Sequence, residues 1–260
     1  MTTGWMSLLG LLLGSFANVV IHRLPRMVMQ DEGPHYNLSH PASHCPHCLT
    51  PLRWWHNIPL LSFIALHGRC AHCHARIAWR YPLVEVCCAV LWALCAWHWS
   101  SVETAVCWAL FATALLALAC IDWDTTLLPD AVTQPLLWLG LLVSLNGWIS
   151  TPLPQSVVGA MVGYLSLWSV AAVFQRLTHK EGMGAGDFKL LAALGAWLGP
   201  WLLWPVVLMA SVAGVVVGLI LKSRAGLREG GYLPFGPFLT AAGAVAAWWG
   251  PSLLDWLLVA

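Results

Sequence analysis

Ile121-Asp122-Trp123-Asp124-Thr125-Thr126-Leu127-Leu128-Pro129-Asp130 and Gly184-Ala185-Gly186-Asp187 each set a carboxylate at the end of a long apolar run, in a chain that otherwise avoids charge. A carboxylate near bilayer depth costs roughly 2.5–3.5 kcal/mol even on a lenient insertion scale. Two of them on separate segments suggest a paired acid–base site inside a membrane protein.

Composition supports the membrane half of that reading. Of 260 residues, 59% are hydrophobic and 9% are charged, against about 25% charged in a soluble domain. Mean hydropathy is +0.73. Apolar spans fall near 4–22, 82–98, 102–121, 131–150, 153–175, 187–199, 201–221 and 233–258. Most approach the roughly 20 residues that cross a bilayer. The expected fold is therefore an all-α polytopic membrane protein of about eight transmembrane helices.

A net charge of +1 conceals a strong asymmetry. With the N-terminus outside, Arg23, Arg26, Arg53, Arg69, Arg76 and Arg80 fall in the first inner loop. Arg176, Lys180 and Lys189 surround another, and Lys222, Arg224 and Arg228 occupy the last. All 12 basic residues then share one side, which the positive-inside rule makes cytoplasmic. The first apolar run carries its positive charges behind it and shows no Ala-x-Ala site, so it is read as a retained N-out anchor.

Residues 24–81 break the apolar pattern and form a small cytoplasmic domain inserted after a first helix over 1–23, with the bundle over 82–260. Its core motif is Cys45-Pro-His-Cys48 and Cys70-Ala-His-Cys73. Two such pairs suit a tetrahedral zinc site, one knuckle from each pair. Fewer than 60 residues bury too little apolar surface to fold comfortably alone, and a closed structural zinc would supply the missing stability. His44, His47, His72 and His74 lie beside the thiols and are expected to stay outside the ligand set. Cys87, Cys88, Cys95, Cys107 and Cys120 lie in apolar spans and read as small buried hydrophobes. Gly159, Gly163, Gly195, Gly214 and Gly218 read as close helix-packing positions, and the Trp near span ends as interfacial anchors.

Asp122 closes the third span and Asp187 opens the sixth. Only 13 residues run from Asp187 to Gly199, ahead of Pro200. That is a helix of roughly 20 Å against an apolar core of about 30 Å, so Asp187 is expected at the floor of a cytoplasm-facing cavity. Gly184 and Gly186 offer positive φ and close backbone approach, and an extended peptide could pair with the 184–186 backbone. Two close carboxylates sharing a proton titrate as a pair. One takes a proton from water while the other gives one to a scissile carbonyl. The ordinary alternative for each acid is a helix cap at an interface. Asp130, after Pro129, is read as the start of the next span, and Asp124 is the neighbouring acid that competes with Asp122. A proton-coupled transporter also uses intramembrane carboxylates, but both acids lie toward one face. A zinc-anchored assembly factor without catalysis is the third class.

The chain closely resembles the prepilin peptidases, the type IV leader peptidases of type IV pili and type II secretion. The likeness covers nearly the whole length. It rests on Gly14-Ser15-Phe16-Ala17-Asn18-Val19-Val20-Ile21-His22-Arg23-Leu24-Pro25, both Cys pairs, Asn57-Ile58-Pro59, Arg80-Tyr81-Pro82-Leu83-Val84-Glu85, Asp122 through Pro129-Asp130, Gly182 to Lys189, and Pro234-Phe235-Gly236-Pro237. The resemblance implies a GxGD-type aspartic peptidase of the bacterial inner membrane with Asp122 and Asp187 catalytic and Gly184, Ala185 and Gly186 in the active-site loop. It implies cleavage of a basic leader after Gly from prepilins or pseudopilins at the cytoplasmic face. N-methylation of the new terminus with S-adenosylmethionine is the associated second activity, and a peptidase without it is the narrower alternative. Membrane lipid is the other expected partner, and nucleic acid is not one. Ala185 stands where many relatives carry a larger residue. No GxGxxG-like fingerprint locates the methyl donor; Glu85 is a candidate polar group, its ordinary alternative being a pair with Arg80.

Overall fold

The computed structural model describes residues 2–29, 36–180, 182–224 and 233–259, with side chains described as far as residue 250. Among them are nine α-helices: α1 (Thr2–Met29), α2 (Leu61–Ala65), α3 (Arg80–His98), α4 (Val102–Thr125), α5 (Asp130–Leu145), α6 (Leu153–Thr178), α7 (Ala185–Leu198), α8 (Leu203–Ser223) and α9 (Gly236–Val259). All but the short α2 coincide with an expected span. Five of them, α1, α3, α4, α6 and α8, are long and apolar enough to cross a membrane, as in a multi-pass membrane protein. The chain divides into two compact units, Met1–Thr113 and Ala114–Ala260.

In the first unit α1 packs along α3. A Cβ on Gly10 would meet Ala89 Cα at 2.8 Å, and one on Gly14 would meet Glu85 Cα at 2.8 Å. Glycine at these two positions lets the backbones approach as small-residue membrane interfaces do. Asn18 locks the pair by donating from Nδ2 to the Tyr81 carbonyl at 3.0 Å. The first helix continues past the expected end at residue 22, through Pro25 to Met29. The reason lies in its last turns: Arg23, Leu24 and Pro25 are buried, and Arg23 Nη1 donates to the Asn37 carbonyl at 3.0 Å. Packing thus keeps helical a stretch that a charge and a proline would otherwise end. At the start of α4, Ser101 Oγ accepts the Thr104 N–H at 3.1 Å, an N-cap of ordinary chemistry.

The second unit is organised around α7. Leu190, Leu191, Ala193, Leu194, Ala196 and Trp197 are fully buried, as befits a helix apolar on every side. Backbone approach is closest where α6 meets α7. A Cβ on either Gly159 or Gly195 would collide with the other's carbonyl oxygen, and one on Gly163 would lie 2.5 Å from the Leu191 carbonyl oxygen. Gly214 and Gly218 are different: Phe238 Cδ2 and Leu233 Cδ2 would lie 3.6 and 3.7 Å from an added Cβ. That is ordinary contact, so the close-packing expectation fails at these two because α8 meets side chains there, not backbone.

Polar groups inside this packing are paired. Trp197 Nε1 donates to the Leu136 carbonyl at 2.9 Å, Thr151 Oγ1 donates to the Trp197 carbonyl at 2.9 Å, and Ser156 Oγ donates to the Ala196 carbonyl. These bonds tie α5, the α5–α6 connection and α6 to the far end of α7 and fix its height. At 14 residues, α7 is about 21 Å long. Gly199 ends it at φ +78°, just ahead of Pro200.

Candidate active site and metal centre

Asp122 lies in the last turn of α4 and is 4% exposed. Asp187 lies in the first turn of α7 and donates its backbone N–H to the Gly184 carbonyl at 3.2 Å. The two carboxylates come close enough to act on each other electrostatically. The fold therefore brings together the two acids singled out from sequence, across 65 positions of chain (187 − 122).

Asp122 is held from a third helix. Gly236, the first residue of α9, donates its N–H to Asp122 Oδ2 at 2.9 Å. A Cβ there would stand 2.5 Å from that oxygen, 3.0 Å from Asp122 Cγ and 3.2 Å from Leu128 Cδ2. Only hydrogen on that α-carbon leaves room for the carboxylate. Gly186 has a parallel constraint, since its Cβ would meet Leu128 Cβ at 2.7 Å. Leu128 is thus wedged between the starts of α7 and α9, beside both acids.

Positive φ proves unnecessary in the 184–186 loop. Gly184 adopts φ −74°, ψ 146°, ordinary extended backbone, and Ala185 and Gly186 are already helical. Nothing lies within 4 Å of a Cβ built on Gly184, so space remains beside its extended backbone. Ala185 is exposed. The strained residue of this region is instead Thr126, at φ 55°, whose N–H returns to the Asp122 carbonyl at 2.8 Å and closes the end of α4.

Asp130 begins α5, as expected from Pro129. It also accepts Lys189 Nζ at 2.7 Å through both carboxylate oxygens, a pair that sequence reasoning did not foresee. Asp124 is exposed, unlike Asp122. The one signal for Gly236 was the Pro234-Phe235-Gly236-Pro237 string, which offered no hint that a backbone amide would reach a carboxylate 114 residues away.

The four cysteines of the two pairs also converge. The Sγ atoms of Cys45, Cys48, Cys70 and Cys73 all lie within 4.8 Å of one another. Cys45 to Cys73 is 3.8 Å and Cys48 to Cys70 is 4.0 Å. Tetrahedral thiolates at about 2.3 Å from zinc stand about 3.8 Å apart, so the donor set fits a metal such as zinc. The two knuckles repeat one geometry. Leu49 N–H donates to the Cys45 carbonyl at 2.9 Å and His74 N–H to the Cys70 carbonyl at 3.1 Å, with Leu49 at φ 57° and His74 at φ 56°. Isolated bridges His44–Pro51 and Arg69–Arg76 flank them.

Thr50, through its hydroxyl and its N–H, holds the Cys48 thiol down at about 6. At Cys73 the Ala75 N–H favours the thiolate, but burial and the neighbouring Cys48, Cys70 and Cys45 sulfurs push it up to about 11. Four adjacent thiolates repel one another, and a coordinated dication removes that conflict. The neighbouring histidines stand outside the group of four; His72 contributes its N–H to Cys70 Sγ at 3.5 Å. In the spans, Cys88, Cys95 and Cys107 are buried and Cys87 and Cys120 are half-buried.

Comparison with known proteins places both halves of the chain. Residues 8–99 match the bacterial peptidase A24 N-terminal domain, and residues 109–219 match the type IV leader peptidase family. A prepilin leader peptidase/N-methyltransferase of Stutzerimonas stutzeri is 46% identical, over 94% of this chain and 90% of its own. Proteins of the same description from Aeromonas hydrophila and Neisseria gonorrhoeae are 47% and 43% identical, over 96% and 91% of this chain and 92% and 87% of theirs. No solved structure matches. A chain so similar along almost its whole length, with a peptidase family model over its acidic half, belongs to the type IV leader peptidase family of enzymes.

Proposed function

We propose that this protein removes the basic leader of prepilins or type II secretion pseudopilins, cutting after Gly at the cytoplasmic face of the bacterial inner membrane. The observation that carries the reading is the meeting of Asp122 and Asp187 from two helices, with the Gly236 amide orienting one of them. Its remote support is the shared description of the relatives above.

The arrangement supports hydrolysis by a general acid–base pair. One carboxylate takes a proton from water, and that water attacks the scissile carbonyl carbon. The other carboxylate gives its proton to the carbonyl oxygen. The Gly236 N–H fixes Oδ2 of Asp122, so its remaining oxygen points in one direction. The open side of Gly184 leaves a passage for an extended peptide beside the loop, where backbone pairing can hold the residues that flank the cut. The leader's basic residues stay on the cytoplasmic side, near anionic lipid. The apolar part of the pilin lies in the bilayer, and the cut falls at their boundary. The all-basic inner loops support an N-terminus in the periplasm and an acidic pair open to the cytoplasm.

The four cysteines are assigned to a structural zinc, held by all four thiolates with no open position for substrate. N-methylation of the newly exposed amine is the second activity, on the strength of the relatives' names.

The test is leader release from a prepilin in membranes containing the parent, Asp122→Asn, Asp187→Asn or Asp124→Asn. Loss of at least about 1,000-fold in the first two at normal membrane levels, with Asp124→Asn near parental rate, is the expected result. Cleavage by either Asp122→Asn or Asp187→Asn removes that residue from the dyad.

A further inference from the structure

Residues 24–81 read from sequence as a cytoplasmic insertion, yet one stretch of them is tied to the spans at bilayer depth. It is a 3₁₀ turn over Trp54–Asn57 followed by α2. Leu60 donates its N–H to Glu85 Oε2 at 2.9 Å, and Ser15 Oγ lies 3.4 Å from the Asn57 carbonyl oxygen. Both partners belong to helices long and apolar enough to cross a membrane. Glu85 stands five residues beyond Arg80 in α3, about 7–8 Å along the axis. Ser15 stands eight residues ahead of Arg23 in α1, about 12 Å along that axis. Gly14 packs on Glu85 Cα, so both ties fall at one level, inside the basic residues that close the two apolar runs.

The stretch is inside out for a loop in water. Trp54, Trp55, Ile58, Leu61 and Ile64 point outward, between 36% and 74% exposed. His56 and Ser62 are half-buried instead, and with Glu85 they line a cavity of about 510 Å³ bounded by α1, α2, the start of α3 and the cysteine knuckles. The backbone needs no water either. The N–H groups of His56, Ile58, Leu61, Ser62 and Ile64 go to carbonyls between Arg53 and Leu60. Pro59 has no N–H, and Leu60, turned to φ 58°, gives its own to Glu85. Backbone that faces lipid must be satisfied in this way. At the edge of the patch, the Arg53 guanidinium lies 5.1 Å over the Trp55 ring. Trp79, just ahead of α3, sets its ring 5.0 Å from that of Phe63 in α2. Trp at the lipid–water boundary and Arg beside anionic lipid are ordinary interfacial anchors. Trp79 makes the apolar face continuous with the point where α3 enters the bilayer.

We propose that residues 54–65 are embedded in the cytoplasmic leaflet as a membrane foot of the insertion, with the five apolar side chains in lipid and Arg53 and Trp79 at the headgroup boundary. The depth of the Glu85 tie agrees with the roughly 5–10 Å to which interfacial segments bury their apolar faces. Which leaflet holds the foot rests on the orientation proposed above; its depth does not. The Cys70 knuckle follows α2 closely in the chain, so the foot also holds the cysteine knuckles against the membrane face.

The test labels the full chain in vesicles of phosphatidylethanolamine and phosphatidylglycerol from two phases. Hydroxyl radicals generated in the water report water contact. A phospholipid with a photoreactive diazirine on its acyl chain reports lipid contact. Both are read residue by residue by mass spectrometry. Leu49, in the first cysteine knuckle, is the matched control for Leu61, with the same side chain and 70% exposure against 65%. The expected result is oxidation of Leu61 at least about 10-fold below that of Leu49, with lipid adducts on Leu61 and Ile64 and none on Leu49. Equal labelling of the two leucines by either reagent overturns the proposal. Protection of Leu61 and Ile64 without lipid adducts also overturns it, and assigns the face to a protein partner, a second copy of this chain or the pilin. The comparison depends neither on leader cleavage nor on which leaflet faces the cytoplasm, so failure of the proposed function would leave it readable.

Discussion

The two units solve the problem of holding polar chemistry in different ways. Ala114–Ala260 holds its acids by packing. The fully buried α7 is pressed backbone to backbone against α6 at Gly159 and Gly195, and α9 reaches Asp122 through a bare amide. Met1–Thr113 holds its polar groups around space. Four thiols gather two knuckles, and beside them a cavity of about 510 Å³ keeps a carboxylate on its wall. In the first case position depends on the absence of side chains. In the second it depends on charges that need a partner. Perturbing a metal should therefore damage one unit, and adding a methyl group should damage the other.

Cys45→Ser, or removal of metal by a chelator, is the strongest way to expose the difference. Structural zinc contributes on the order of 10–16 kcal/mol of apparent folding free energy in small zinc modules. The expected outcome is loss of bound zinc and protease sensitivity across residues 36–79, with methylation failing before leader cleavage. Equal zinc content in variant and parent would remove Cys45 from the ligand set. Gly236→Ala probes the other unit. The new Cβ would crowd Asp122 Oδ2, so cleavage should fall about 10- to 100-fold with zinc content unchanged. Parental cleavage would show that the amide contact does not position the acid.

The smallest effect should come from Lys189→Met. The Lys189–Asp130 pair is bidentate, but its side chains are 28% and 60% exposed, and exposed pairs typically contribute no more than about 1 kcal/mol. A melting temperature within a few degrees of the parent, with cleavage reduced by no more than a few-fold, is expected. A collapse of either would mean that the pair ties α5 to α7 as firmly as the glycine contacts tie α6 to α7.

Much of this contrast was legible in the chain. Long apolar runs identify helices because a backbone in lipid must satisfy its own hydrogen bonds, and a carboxylate or a paired Cys motif stands out against such a background. The features that escaped were those without a side-chain signature. Gly236 acts through an amide that every non-proline residue possesses, so nothing in its identity announces Asp122 as its partner. Gly184 reads as a site for positive φ but sits in extended backbone, because the turn is completed by the helix that starts immediately after it. Gly214 and Gly218 read like Gly159 and Gly195, yet whether a glycine faces backbone or a side chain depends on the neighbouring helix. The cavity was equally hidden, since its walls come from residues as far apart as Leu12 and Glu85, and emptiness leaves no mark on composition.

The most direct measurement supplies one set of membranes with two substrates, an uncut prepilin and a pilin already lacking its leader. Leader release and N-methylation are then read for the parent and for Asp122→Asn. The account predicts that the variant releases no leader from the first but methylates the second at close to the parental rate. Leader release by Asp122→Asn would contradict the acidic pair as the source of cleavage, and loss of both activities at normal membrane levels would contradict the division of chemistry between the two units.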